Sequence, residues 1–415
     1  MMRTRFHLSQ TFFCGLILFL PAAGSAQGWN FLGDANLFLG QYFFKKSAGS
    51  LEGYGDVSAQ AARSFSPESG FYVTGRSVYT GFKQVNELAG GGTLFQQSWD
   101  NSLGFKWIRR FEGGYSLKPR VGVRSQLFRE TNNEKWGKGL YDFGRYEAGV
   151  TWERKTRWSL SVPWTYQFSY DFYYTHYPHF KSLASQFGSA LGSPDPGANV
   201  LDTFTNQLTY RSEFDLPGFA TLWGLYSLSL VQFTDSKVVN SQGQYLNSGR
   251  TDAFHTLTLG YSKRLNDWQP LGRVRPIWGA ALAFSNLNSN QNNFDTDPNR
   301  LKYVGGYYNY WETHVSPSVG GTFLALGLNV RLGYDFAYRG YTGRLTQNED
   351  GSYNNGKLNQ YTHSVSLDAA YPLWRGLDFK VRGMYSSSNS NTRYEQTYVY
   401  SYNSYNYFAG IQWRL

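Results

Sequence analysis

Cysteine is nearly absent from this chain of 415 residues: its one thiol, Cys14, falls within the first 26. A mature chain lacking that leader has no disulfide and no thiolate metal site. Proline and methionine are also scarce. Mean hydropathy is negative, and past the leader no run of 18 apolar residues exists, which excludes spanning helices. The leader itself has Arg3 and Arg5, an apolar stretch over 11–20, and the small residues Gly24, Ser25 and Ala26. That pattern predicts a secretory signal peptide over 1–26, cleaved after Ala26, with a single barrel domain over 27–415. Phe12 and Phe13 before Cys14 do not fit a lipoprotein signal. The formal charge of +10 falls by two when Arg3 and Arg5 leave. A basic surface in the cell envelope meets lipids and lipopolysaccharide phosphates, whereas nucleic acid is excluded by compartment.

What is present is aromatic and alternating. In residues 158–172, Trp158, Leu160, Val162, Trp164, Tyr166, Phe168, Tyr170 and Phe172 hold every second position, with small or polar residues between. Such a strand has one apolar face and one wet face. The run exceeds the ~5–6 residues of a globular strand and meets the ~9–11 needed to cross a bilayer. The period recurs from Leu326 to Tyr338 and from Tyr361 to Leu373. It predicts an all-β, transmembrane, antiparallel up-and-down β-barrel of about sixteen strands, between roughly fourteen and eighteen. Their expected spans are 34–46, 53–65, 70–83, 93–108, 115–129, 139–153, 157–173, 201–215, 219–234, 252–264, 272–285, 308–320, 325–341, 360–372, 377–386 and 400–415.

The expected connections alternate in length. Short ones fall at 66–68, 112–114, 154–155, 216–218, 266–269, 322–323 and 373–376. Longer ones fall at 84–92, 131–138, 174–200, 235–251, 286–307, 342–359 and 387–399. Outer-membrane barrels have short periplasmic turns and long external loops. The last residues, Tyr407, Ala409, Ile411, Trp413 and Leu415 with Gly410, resemble the C-terminal signal read by the bacterial barrel-assembly machinery, with Leu415 where Phe is usual. The chain resembles the bacterial outer-membrane β-barrel class, porin-like, with no motif that names one family. The resemblance implies outer-membrane lipids, lipopolysaccharide and the assembly machinery as partners. With only 27–33 between the cleavage site and the first strand, no plug domain of ~100 residues is expected.

Strand phase predicts the groups that line the interior: Arg120, Arg124, Arg145, Arg273, Arg275, Arg331, Arg339, Arg382 and Arg414, with Glu147, Glu153, Asp171, Asp335, Asp368 and Asp378. Arg331 and Asp335 share a face four residues apart, as do Asp378 and Arg382. Two readings stand open. The charges pair and merely line a wet interior, or an arginine excess attracts anions. Aromatics on both faces, such as Phe95, Trp99, Phe105, Trp107 and Phe408, suit either a lipid-facing girdle or a sugar-stacking lumen. Loop 174–200, with Phe180, Leu183, Phe187 and Leu191, is the expected constriction, because an apolar-patterned loop is better covered than left in solvent.

Metal and catalytic readings are thin. Residues 295–300 begin like a calcium loop but lack its glycine and distal Glu; His176 and His179 have no third ligand in view. His314, near Glu312 and Ser316 on an inward face, is expected to be structural rather than part of a hydrolytic triad. No cofactor, metal or enzymatic activity is expected. The leading expectation is a porin-like channel that passes polar, preferentially anionic solutes. The alternatives are a conduit exporting an acidic polysaccharide with periplasmic partners, and a structural barrel around a partner protein.

Overall fold

The computed structural model describes residues 28–44, 50–84, 95–129, 134–159, 161–180, 199–266, 273–295, 297, 301–395 and 399–414. Its strands are β1 (Trp29–Phe44), β2 (Ser50–Ser66), β3 (Ser69–Gln84), β4 (Phe95–Phe111), β5 (Tyr115–Arg129), β6 (Phe143–Arg157), β7 (Pro163–His176), β8 (Thr203–Leu216), β9 (Ala220–Val239), β10 (Tyr245–Arg264), β11 (Val274–Ser289), β12 (Asn293–Asp295), β13 (Lys302–Val304), β14 (Tyr310–Phe323), β15 (Leu328–Gln347), β16 (Tyr353–Trp374), β17 (Leu377–Ser390) and β18 (Tyr402–Arg414). Sixteen of them close into an antiparallel up-and-down barrel; β12 and β13 form a separate ribbon. β11 skips the ribbon to pair with β14, and β18 closes on β1.

Closure satisfies every edge, which a sheet in hydrocarbon requires. The dyad period then sorts the side chains. Leu37, Leu39, Val121, Phe168, Tyr170, Leu208, Leu257, Leu259, Leu282, Phe284, Leu332 and Leu367 all stand exposed on the outer wall. Few large apolar side chains are buried at all, so the greasy surface faces outward rather than into a core. Tyr361 and Tyr371 both lie exposed on β16. Their spacing of about ten residues, at ~3.4 Å each and ~40° tilt, separates them by ~26 Å, the height of an apolar band between two aromatic girdles.

The elements depart from the sequence expectation at two turns and two long loops. The run over 158–172 is not one strand. β6 continues to Arg157, the chain turns at Trp158, whose amide donates to the Val162 carbonyl at 2.8 Å, and β7 starts at Pro163. Proline lacks the ladder donor and suits a strand's first residue. Trp158 still serves the girdle by packing edge-on to Trp164 and Phe214. The turn expected at 322–323 falls after Phe323, and that expected at 154–155 falls after Arg157. Two expected long loops are instead ladders that outrun the bilayer. β9 and β10 continue to a tip at 240–244, where the Asn240 side chain accepts from the Gln242 and Gln244 amides. β15 and β16 continue to a tip at 348–352, where Asp350 accepts from the Ser352 amide and hydroxyl. Register shifts sit in both ribbons above the barrel.

The closing seam is tight. Gly40 on β1 and Gly410 on β18 face backbone so close that a Cβ on either would overlap a main-chain oxygen, that of Tyr407 and of Leu37 respectively.

Candidate functional site

With the apolar positions outside, pairing register fixes the inner face. On β2 to β7 this face carries a belt of charge. Arg76 donates to Asp56 through both Nε (2.9 Å) and Nη2 (2.7 Å). Arg124 Nε lies 2.8 Å from Asp100. Lys118 Nζ reaches Glu153 at 2.6 Å, and Gln167 donates to the same carboxylate. Arg120 bridges Asp171 and Thr151. On β14 to β18, Arg339 donates to Glu312 at 2.7 Å, Arg382 pairs with Asp368 at 3.0 Å, and Arg414 pairs with Asp378.

This pairing runs across strands, not along them. Asp335 does not meet Arg331: it accepts from the Ser316 hydroxyl and faces His314. Asp378 meets Arg414 rather than Arg382. The reason is geometric, since residues four apart on a strand lie ~13 Å apart while cross-strand neighbours lie ~5 Å apart. Most of the named arginines are therefore neutralised in place. Arg145 donates to the Thr175 hydroxyl at 3.2 Å and lies over the Tyr173 ring. Arg331 donates to the Ser318 hydroxyl at 3.1 Å. Among the described residues, Lys106, Arg145, Arg331 and Lys380 have no carboxylate at ion-pair distance. Arg275 stands opposite Thr322 at the turn end of β11. Arg273 departs from expectation: it precedes β11, with φ 62°, and its carbonyl accepts from the Leu324 amide, so it is a turn residue rather than part of the wall.

The opposite arc is almost free of charge. β9 to β11 turn Leu225, Ser227, Ser229, Thr256, Thr258, Ala281 and Ala283 inward by register. The sequence carries this as Ser, Thr and Ala alternating with outward Leu and Phe in those strands. Trp99, Phe105 and Trp107 lie on the outer face, and the first and last close their indole N–H groups onto Ser77 and Ser69. Phe95 has no described side chain. Phe38, by contrast, turns inward and is buried between Tyr54 and the Arg382 guanidinium.

His314 sits between two carboxylates, Nε2 at 2.7 Å from Glu312 and Nδ1 at 3.2 Å from Asp335. Ser316 donates to Asp335, not to the imidazole, so His314 holds no serine hydroxyl as acyl transfer needs. No group of three or more metal-ligating side chains is placed to hold a metal among the described residues. At the loop end, Asp142 accepts from the Phe128 amide at 2.7 Å and the Gly139 amide at 3.1 Å, and burial still holds its carboxyl above the usual range. Asp202 ties down Tyr177 and His176 similarly. Phe180 packs on Tyr141 at 5.6 Å; Leu183, Phe187 and Leu191 lie outside the described residues, as does Leu415. Tyr407, Ile411 and Trp413 point outward, while Gly410 belongs to the closing seam.

An apolar outer wall with two girdles, a wet inner wall and a barrel sheet with no free edge leave one class of protein. The chain has the bacterial outer-membrane β-barrel fold. No protein-family model and no curated protein matches the sequence. CdiB from Acinetobacter baumannii superposes with a TM-score of 0.51 at 9% identity, over 92% of this chain and 60% of that one. OccAB4 of Acinetobacter baumannii gives 0.47 at 9% identity over 94% and 99% of the two chains. The outer-membrane-expressed OmpT of Vibrio cholerae gives 0.43 at 10% identity over 93% and 97%. At such identities the likeness is one of fold.

Proposed function

We propose that this barrel is a water-filled outer-membrane pore for polar solutes with a mild preference for anions. The observation that carries the reading is the lumenal wall. It is charged and hydroxylated around much of its circumference, and most of its carboxylates are held by Lys or Arg. Among the described residues Lys106, Arg145, Arg331 and Lys380 stand without an ion-paired carboxylate, against Asp34, Glu147 and Asp335 without a Lys or Arg partner. A barrel of sixteen strands encloses an aqueous channel unless something fills it. Unpaired cations in a low-dielectric wall raise the local concentration of anions. The lipid-facing belt meets phospholipid and lipopolysaccharide, and the outward aromatic positions near the carboxyl end serve the assembly machinery. A signal peptide over 1–26 delivers the chain to the periplasm.

The test is single-channel recording of the folded protein in planar bilayers under a salt gradient. Open conductance with a reversal potential on the anion side is expected. Cation preference overturns the anion reading; a non-conducting barrel overturns the pore itself.

A further inference from the structure

On the turn-side half of the inner wall, β10 to β17 enclose a recess of about 380 Å³. That lies at the lower end of the ~300–1,000 Å³ typical of small-molecule sites. Gly279 and Gly320 make its floor, where side chains would otherwise stand, and Ile277 makes an apolar flank. Arg331, Lys380 and Arg382 converge on the other side. Asp368 stands opposite both Arg331 and Arg382 in register yet pairs with Arg382 alone. That leaves Arg331, held among the described residues by the Ser318 hydroxyl, and Lys380 as two cations without an ion-paired carboxylate of their own, on a hollow whose one acid, Asp368, is taken up by Arg382. Hydroxyl groups of Ser262, Ser318 and Thr322 complete the lining.

We infer that this recess binds a sugar acid: a hydroxylated ring whose carboxylate lies between Arg331 and Lys380, with its apolar face on Ile277. Charge selects the acid, the hydroxyls satisfy the ring's polar edge, and the glycine floor admits its thickness. The inference rests on the pore reading only for access of solute to the lumen.

The experiment is calorimetric titration of the full chain, folded in detergent micelles, with D-glucuronate and with D-glucose. Glucuronate is expected to bind and glucose not. The double variant Arg331→Gln/Lys380→Gln is expected to weaken glucuronate by about tenfold or more, and Arg331→Lys to keep most of the affinity that Arg331→Gln alone loses. The double variant Lys106→Gln/Arg145→Gln removes the same charge from the opposite wall and is expected to leave affinity within about twofold. Equal weakening in both double variants means a diffuse field and overturns the recess; so does equal binding of glucose. Conductance is recorded separately. A conducting protein that ignores glucuronate sinks the recess alone, and a non-conducting one that binds it sinks the pore alone.

Discussion

At the scale of single residues, the lumenal ion pairs divide by burial. Asp171 is 5% exposed and pairs with Arg120, whereas the side chains of Arg382 and Asp368 are 44% and 50% exposed. Losing one partner of a buried pair leaves a stranded charge and costs roughly 3–5 kcal/mol; losing an exposed partner costs about 0–1 kcal/mol. Arg120→Met is therefore expected to lower stability several-fold more than Arg382→Met, with chemical unfolding in phospholipid vesicles as the measurement. The two positions look identical in sequence, each an inward arginine on an alternating strand. What distinguishes them is the neighbour supplied by the next strand, and no spacing within one segment encodes that. For the same reason Arg331 and Asp335 read as a pair along their strand and separate in the barrel.

At the scale of strands, the sheet was legible because one face of each element meets hydrocarbon. β11 tests this directly. Leu282 is 48% exposed on the outer wall, and its neighbour Ala283 turns inward opposite Thr258 and His314. Leu282→Arg is expected to cost about 2–4 kcal/mol, as a charge near the bilayer midplane does, while Ala283→Arg leaves stability nearly unchanged and alters conductance. The closing seam makes a second demand on its elements. Gly410→Val places carbon where the Leu37 carbonyl lies, so β1 and β18 have to separate. The expected result is loss of the compact, heat-sensitive species on cold gel electrophoresis, with Ala409→Val on the lipid side of the same strand tolerated. Sequence marked Gly410 as part of an end signal and did not reveal this contact, because its partner is some 370 positions away in the chain. Boundaries failed for a different reason. Alternation persists through the turn at Trp158 and up the ribbons above the membrane, since girdle aromatics and solvent-exposed ladders keep the dyad period that bilayer strands have.

At the scale of the whole molecule, the lumen is two-sided: charge on β2 to β7 and β14 to β18, mostly uncharged groups along the middle of β9 to β11. A guanidinium is cationic across the usable pH range, whereas a carboxylate is neutralised in acid. Cross-strand pairing with Asp56, Asp100, Glu153, Asp171, Glu312, Asp368 and Asp378 cancels most of the basic field, so selectivity rests on the balance between the unpaired cations and the acids without a Lys or Arg partner, Asp34, Glu147 and Asp335. Acidification removes negative charge and uncovers the arginines without adding any new contact. The ratio of anion to cation permeability is thus expected to rise as the pH of both bathing solutions is lowered, and to flatten with added salt as the screening length shrinks. A pore whose selectivity came only from Arg331 and Lys380 would show little change with acid. Measuring reversal potentials across that pH series in the wild type and in Arg331→Gln/Lys380→Gln separates the two sources. The acid-driven rise is expected to survive in the double variant, because its origin is the paired belt, while the neutral-pH preference is expected to shrink.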